Sequence, residues 1–230
     1  MNPKVCAHRG FAAEHTENTF ASIAAAYKLG CRWAECDIQL SAEGVPLLYH
    51  DASLKRISRV SGDIRKTPLA RARELGITRL ASLAPLFKRH PQAKLFVELK
   101  TESMRSLGRE AVLDAVLKAI RPFERRCVLI SFDIAALALA RQKTKLPIGF
   151  VMSNRFQLRL GSVAALRPDF VFRDLRSLAK KGDLRLAPIN GQVPRQCVWE
   201  VPDPKVAAGL FARGIDMIET FAVDRYLESA

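Results

Sequence analysis

Short apolar runs alternate with amphipathic stretches along nearly the whole chain. Residues 5–8 read as a first strand. Over 17–29, Phe20, Ile23, Ala24 and Tyr27 recur at helical spacing, which predicts a helix with one apolar face. Thr16 is placed to cap its start and Gly30 to end it. A second strand is predicted at 33–40, a helix near 80–89 and a third strand at 95–99. A long helix over 105–120 precedes strands at 128–131, 148–151 and 170–172, with helical segments at 134–143 and 157–166 between them. Strands at 198–201 and 217–218, separated by a helix over 204–213, complete the set. The stretch 53–73 is the least periodic and most polar, and reads as an elaborated loop or small insertion.

This alternation favours a parallel sheet joined by right-handed crossovers. The first choice of fold is a closed TIM (β/α)8 barrel with a short polar insertion after the second strand. An open doubly wound sheet is the second choice. Such a barrel takes roughly 250 residues, so 230 residues hold one with short loops. No low-complexity linker divides the chain, so residues 1–230 are expected to form a single barrel domain.

The strand period then places the chemistry. Side chains on a strand alternate between faces. Over 33–40, Trp33, Glu35, Asp37 and Gln39 share one face, and Ala34, Cys36, Ile38 and Leu40 the other. The apolar face should meet the helices, which turns both carboxylates inward. Over 95–100 the arrangement repeats, with Phe96, Glu98 and Lys100 opposite Leu95, Val97 and Leu99. Like charges buried together are costly, and a divalent cation with oxygen ligands removes the conflict. Such hard ligands favour Mg²⁺, Ca²⁺ or Mn²⁺ over zinc. Taken alone, Glu-x-Asp also fits an exposed salt bridge; two matching strand faces make the buried cluster the better reading.

Two histidines join that cluster. His8 ends the first strand and is followed by Arg9 and Gly10, a common placement for active-site residues on parallel α/β folds. His50 follows from a hairpin. With a turn over 41–44, pairing Leu40 with Val45 sets Glu35 opposite His50, on the same face. A slip of one residue would turn the ring away. A lone histidine is more often structural; two at strand ends around carboxylates point to acid–base chemistry. His15 and His90 lack that context and read as surface residues, His15 close to the mouth of the first loop.

Composition adds less. The net charge is +14, from 37 basic and 23 acidic residues. This fits a solvated arginine-rich surface, or attraction toward anions such as phosphorylated metabolites or acidic lipid. The basic residues are scattered and aromatics make up 7%, so no stacking surface for nucleic acid is expected. Five unevenly spaced cysteines without a Cys-x-x-Cys pair read as buried free thiols in a reducing cytoplasm. No signal peptide or run of membrane-spanning length is evident.

In order and spacing, the motifs resemble the glycerophosphodiester phosphodiesterase family nearly end to end. They are AHRG at 7–10, ENT at 17–19, AECDIQLSAEGVPLLYHDASLKR at 34–56, VELK at 97–100, SF at 131–132, VWEV at 198–201 and GIDMIET at 214–220. The resemblance implies a TIM barrel that hydrolyses glycerophosphodiesters to glycerol 3-phosphate and an alcohol with one divalent cation, Mg²⁺, Ca²⁺ or Mn²⁺. It implies that Glu35, Asp37 and Glu98 hold the metal, that His8 and His50 are the acid–base pair, and that Arg9 and Lys100 contact the phosphate. In the family's scheme the glycerol 2-hydroxyl attacks phosphorus and water opens the resulting cyclic phosphate. Trp199 is a candidate apolar wall for substrate, with core packing as its plainer role.

The chain also departs from the family pattern. Thr16 stands where proline is usual, Glu200 and Pro202 replace the Thr and Asn of VWTVN, and Phe221 replaces an aspartate. These changes leave the alcohol open. A lysophospholipase D-type or phospholipase-type activity on lipid substrates is the alternative, and a basic anion-binding protein on a disused barrel is the non-enzymatic one. The expected partner is a small-molecule substrate, with no nucleic acid, no stable membrane insertion, peripheral contact with acidic lipid left open, and a monomer or homodimer.

Overall fold

The computed structural model describes residues 4–159 and 161–227. Nine strands are formed among them: β1 (Val5–Ala7), β2 (Trp33–Leu40), β3 (Pro46–Leu48), β4 (Lys94–Leu99), β5 (Cys127–Ser131), β6 (Ile148–Val151), β7 (Phe170–Asp174), β8 (Arg195–Trp199) and β9 (Met217–Thr220). β1 pairs in parallel with both β2 and β9, which closes the ring. The ring runs β1-β9-β8-β7-β6-β5-β4-β2, and β3 lies outside it, antiparallel to β2. The architecture is the closed TIM barrel expected from the sequence, with helices between most strands.

Each strand face meets a different environment. Ala34, Cys36, Ile38 and Leu40 of β2, with Leu95, Val97 and Leu99 of β4, join the large core between the strands and the helices. A second cluster contains Cys6, Trp33, Phe96, Val128, Ile130, Val151, Phe170, Phe172, Cys197 and Met217 and fills the barrel interior. Trp33 stacks on Phe96 at 4.5 Å between ring centroids, and Phe170 meets both edge-on. Aromatic pairs in these geometries add to the energy of simple area burial. The interior is therefore plugged at its floor, leaving the polar inward residues at the mouth.

The insertion after β2 has its own small apolar cluster of Leu47, Tyr49, Leu54, Ile64 and Ala72. It carries two short helices, Lys55–Ser58 and Leu69–Glu74, in and just past the stretch that reads as an elaborated loop or small insertion.

Several expected boundaries shift. The first helix spans Phe20–Lys28, and Thr19, not Thr16, is its cap: the Thr19 hydroxyl accepts from the Ser22 N–H, and the Ser22 hydroxyl accepts from the Thr19 N–H. Glu17 and Asn18 stay out of the helix because Asn18 takes a left-handed conformation (φ 56°). The helix expected over 105–120 is two helices, Thr101–Leu107 and Arg109–Ile120, because Gly108 at φ 86° breaks the run. Position 160 of the helix expected over 157–166 lies outside the described residues; Gly161–Leu166 is helical. Among the described residues, no helix is long and apolar enough to cross a membrane.

Candidate active site

The parallel register between β2 and β4 sets Asp37 beside Glu98, with Glu35 one pleat earlier on the same inward face. Glu35, Asp37 and Glu98 are 2%, 2% and 9% exposed. Each offers a carboxylate oxygen, and these lie within 4.8 Å of one another. His8, Arg9, Asp37, His50, Glu98, Lys100 and Trp199 line one cleft at the C-terminal mouth of the barrel. Glu35 sits against it, 4.0 Å from His8 Nε2 and accepting the Arg9 backbone N–H at 3.0 Å. All eight residues singled out in the sequence are thus brought together.

His50 reaches the cleft by a different route from the one expected. β3 pairs Leu40 with Pro46, one residue out from the predicted register. Continued regularly, that ladder would point the ring away. The strand ends at Leu48, however, and the chain turns after the Tyr49 N–H donates to the Asp37 carbonyl at 2.9 Å. The His50 carbonyl is then held by the Gln39 amide at 3.2 Å. His15 is exposed outside the cleft, and His90 is half-buried against Tyr27, with ring centroids 5.8 Å apart.

Both imidazoles are held at Nδ1 by a carboxylate, which leaves Nε2 as the nitrogen able to exchange a proton with a bound molecule. His50 Nδ1 lies 2.6 Å from Asp51 Oδ1, and His8 Nδ1 lies 2.8 Å from Glu200 Oε2. Asp51 is in turn bound by Arg56 Nε at 2.5 Å. Arg56 also pairs with Glu17, and Glu17 with Arg9 Nη1 at 2.9 Å. The turn after β3 therefore supplies His50 and Asp51, and the short helix Lys55–Ser58 supplies the arginine that anchors them.

The carboxylates are not equivalent. Burial pushes the Glu35 carboxyl up, and Asp37, Glu219 and Glu98 push it further. Burial also raises Glu98, although Lys100 opposes the shift. At Asp37 the penalty of burial is overcome by Lys100, Arg9 and His50, which hold its carboxyl well below the usual range. Lys100 Nζ lies 2.9 Å from Glu98 Oε1 and 3.3 Å from Asp37 Oδ1. Burial lowers His50 despite the attraction of Asp37.

These observations test the fit of a metal. Glu35 Oε1 is buried and has no hydrogen-bond partner among the described residues. Glu35, Asp37, Glu98 and Glu219 are all buried, and among the described residues lining the cleft Arg9 and Lys100 bring fixed positive charge. A buried, oxygen-rich cluster with an orphaned acceptor fits a hard divalent cation.

Three comparisons with known proteins agree. The model of the glycerophosphoryl diester phosphodiesterase family matches residues 8–220. The chain belongs to this family. One relative within it is a protein of Mycobacterium tuberculosis named as a probable glycerophosphodiester phosphodiesterase 1. It is 34% identical over 118 residues, covering 43% of each chain. A glycerophosphodiester phosphodiesterase of Caldanaerobacter subterraneus is 28% identical over 145 residues, covering 58% of this chain and 59% of its own. The match thus spans less than half of the mycobacterial relative's length.

Among solved structures, a phosphodiesterase of Oleispira antarctica, determined with its product sn-glycerol-3-phosphate, has a TM-score of 0.79 at 24% identity, over 96% of this chain and 93% of that one. The glycerophosphodiester phosphodiesterase of Thermotoga maritima has a TM-score of 0.76 at 23% identity, over 99% and 98%. These likenesses establish that the barrel is the family's fold.

Sequence reasoning missed four contributors. Glu219 faces the cleft from β9 and is 3% exposed. The alternation of Met217 and Glu219 around outward Ile218 carries that signal, but the predicted strand stopped short of Glu219. Asn18 donates to Asp37 Oδ2 at 2.8 Å and accepts the Asp37 N–H at 2.9 Å. Asp51 was visible beside His50 but was given no role. Glu200 was noted only as a departure, since its partner His8 is 192 positions away.

Proposed function

We propose that this protein hydrolyses glycerophosphodiesters to glycerol 3-phosphate and an alcohol, with one divalent cation and a pair of histidines. The observation that carries this reading is a buried carboxylate trio beside two imidazoles, each held at Nδ1 by a carboxylate, in one cleft. Family membership and the product named for the Oleispira structure support it.

Glu35, Asp37 and Glu98 would hold the cation, which when bound supplies positive charge to phosphoryl oxygens. Arg9 and Lys100 add fixed positive charge on the cleft wall, where a phosphate gains most from groups already oriented. Nε2 of one histidine takes the proton of the attacking hydroxyl, and Nε2 of the other delivers one to the leaving alkoxide. Trp199 forms part of the wall, and its Nε1–H is buried without a partner among the described residues. The five buried thiols fit a reducing compartment, and we infer a single barrel domain working in the cytoplasm.

One observation favours a second reading. The cleft wall opposite the charged residues is apolar, made by Ile130, Phe132, Val151, Phe172 and Trp199. That wall suits a hydrocarbon-bearing diester and so a lysophospholipase D-type activity. The test is a panel of glycerophosphodiesters and lysolipids assayed after chelator stripping and return of Mg²⁺, Ca²⁺ or Mn²⁺. Glycerol 3-phosphate should be released from water-soluble diesters only with metal, and His50→Ala should slow release by ~10²–10⁴-fold. Turnover that survives EDTA unchanged overturns the reading; preference for lysolipids supports the second one.

A further inference from the structure

The two departures from the family pattern that flank the last strands, Glu200 and Phe221, meet at one point: the ring of His8. Glu200 Oε2 lies 2.8 Å from His8 Nδ1, and Glu200 Oε1 accepts the Phe221 backbone N–H at 2.9 Å. The Phe221 ring lies flat on the imidazole, with centroids 4.5 Å apart and planes 5° off parallel. The strand ends that carry these groups are themselves tied together. The His8 N–H donates to the Thr220 carbonyl at 3.0 Å, and the Val201 N–H donates to the Glu219 carbonyl at 2.9 Å.

We propose that Glu200 and Phe221 clamp His8 in a single tautomer and ring orientation, so that Nε2 alone faces the cleft. Glu200 is thus a positioning residue for the acid–base step, and in that respect the inference rests on the function proposed above. A carboxylate offers only lone pairs, so the proton between Glu200 and His8 belongs to Nδ1. In the neutral ring Nε2 is then the bare nitrogen, and it lies 4.0 Å from Glu35. A ring free to turn over would present carbon in place of Nε2 for part of the time. The carboxylate opposes that turn by its hydrogen bond and the phenyl ring by closing one face.

The second histidine shows why the clamp has a separate purpose. Asp51, which holds His50, is itself bound by Arg56 on its other oxygen. Glu200 instead spends its second oxygen on a backbone amide of the loop that carries Phe221. One carboxylate therefore sets both the imidazole and the ring stacked on it.

The experiment combines histidine-detected ¹⁵N NMR of the resting protein with steady-state kinetics. In the wild type the His8 signals should report a protonated Nδ1, with Nε2 bare whenever the ring is neutral. Glu200→Gln keeps the size and can still accept the Phe221 N–H, but turns an amide donor toward Nδ1. The His8 tautomer should therefore invert, and kcat should fall by ~10–10²-fold, with KM and metal affinity held within about threefold. Phe221→Leu should broaden the His8 signals and lower kcat by about fivefold. A wild-type His8 protonated at Nε2 and bare at Nδ1 overturns the proposal, whatever the activity. So does a Glu200→Gln variant with unchanged kcat, or one whose losses in KM, metal binding and thermal stability keep pace with kcat. A wild type that turns over no glycerophosphodiester, while its tautomer inverts in Glu200→Gln as stated, supports the clamp and defeats only the functional reading.

Discussion

Asn18 shows how much one side chain outside the catalytic set can decide. Its left-handed backbone keeps it out of the helix that begins two residues later, and its amide makes two hydrogen bonds to Asp37. Groups that orient a metal ligand commonly govern affinity as strongly as some ligands do. Asn18→Ala should weaken cation binding by ~10–100-fold in calorimetric titration. Unchanged affinity would show that Asp37 is held by Lys100 and Arg9 alone. The sequence displayed Asn18 inside a recognisable motif, but nothing in local periodicity says that its amide meets a strand nineteen positions on. The carboxylate faces of β2 and β4 were legible because a period of two is enough to sort inward from outward. Glu200 was not legible, because its role depends on which loops the closed ring brings together.

Among the elements, the first loop is the most tightly constrained. Gly10 has φ 79°, and a Cβ placed there would lie 2.4 Å from Ser22 Oγ and 2.6 Å from the Ser22 carbonyl carbon. The loop after β1 must press onto the start of the helix Phe20–Lys28 for Arg9 to reach Glu17 and Asp37. Gly10→Ala should cost about 2 kcal/mol or more through strain and overpacking together, measured by chemical denaturation. A cost below about 0.5 kcal/mol would mean that the helix start yields easily. The hairpin after β2 teaches the converse lesson. Its predicted register was one residue out, yet His50 still reached the cleft because the strand stops early. Turn chemistry and strand length, which sequence patterns define poorly, decided the outcome there.

At the scale of the whole molecule, the buried acid cluster couples stability to pH and, through the proposed metal site, to cations. Burial raises Glu35, Glu98 and Glu219, so the cation-free fold holds protons on them more tightly than the unfolded chain does. Stability from these groups is present below the ordinary carboxylate range and is lost as pH rises through their raised values. Asp37 is shifted the other way: its contribution is present above its unfolded value and is lost only in strong acid. A cation in the proposed site would displace the protons on the raised groups, so its stabilising effect should be larger at about pH 8 than at about pH 5. At a hundredfold excess over Kd that effect is about 2.7 kcal/mol, several degrees in Tm for a chain of this size. A thermal shift on adding Mg²⁺ or Ca²⁺ that is the same at both ends of that range would contradict this account.

The fold also buries every thiol in the protein. Cys6, Cys31, Cys36, Cys127 and Cys197 are all free and buried, and burial pushes each thiol above its ordinary range. Alkylation needs thiolate that solvent can reach. An electrophile added to the folded protein thus waits for strands, or the helices packed on them, to part. The five side chains make up a built-in gauge of how often the wall of the barrel opens.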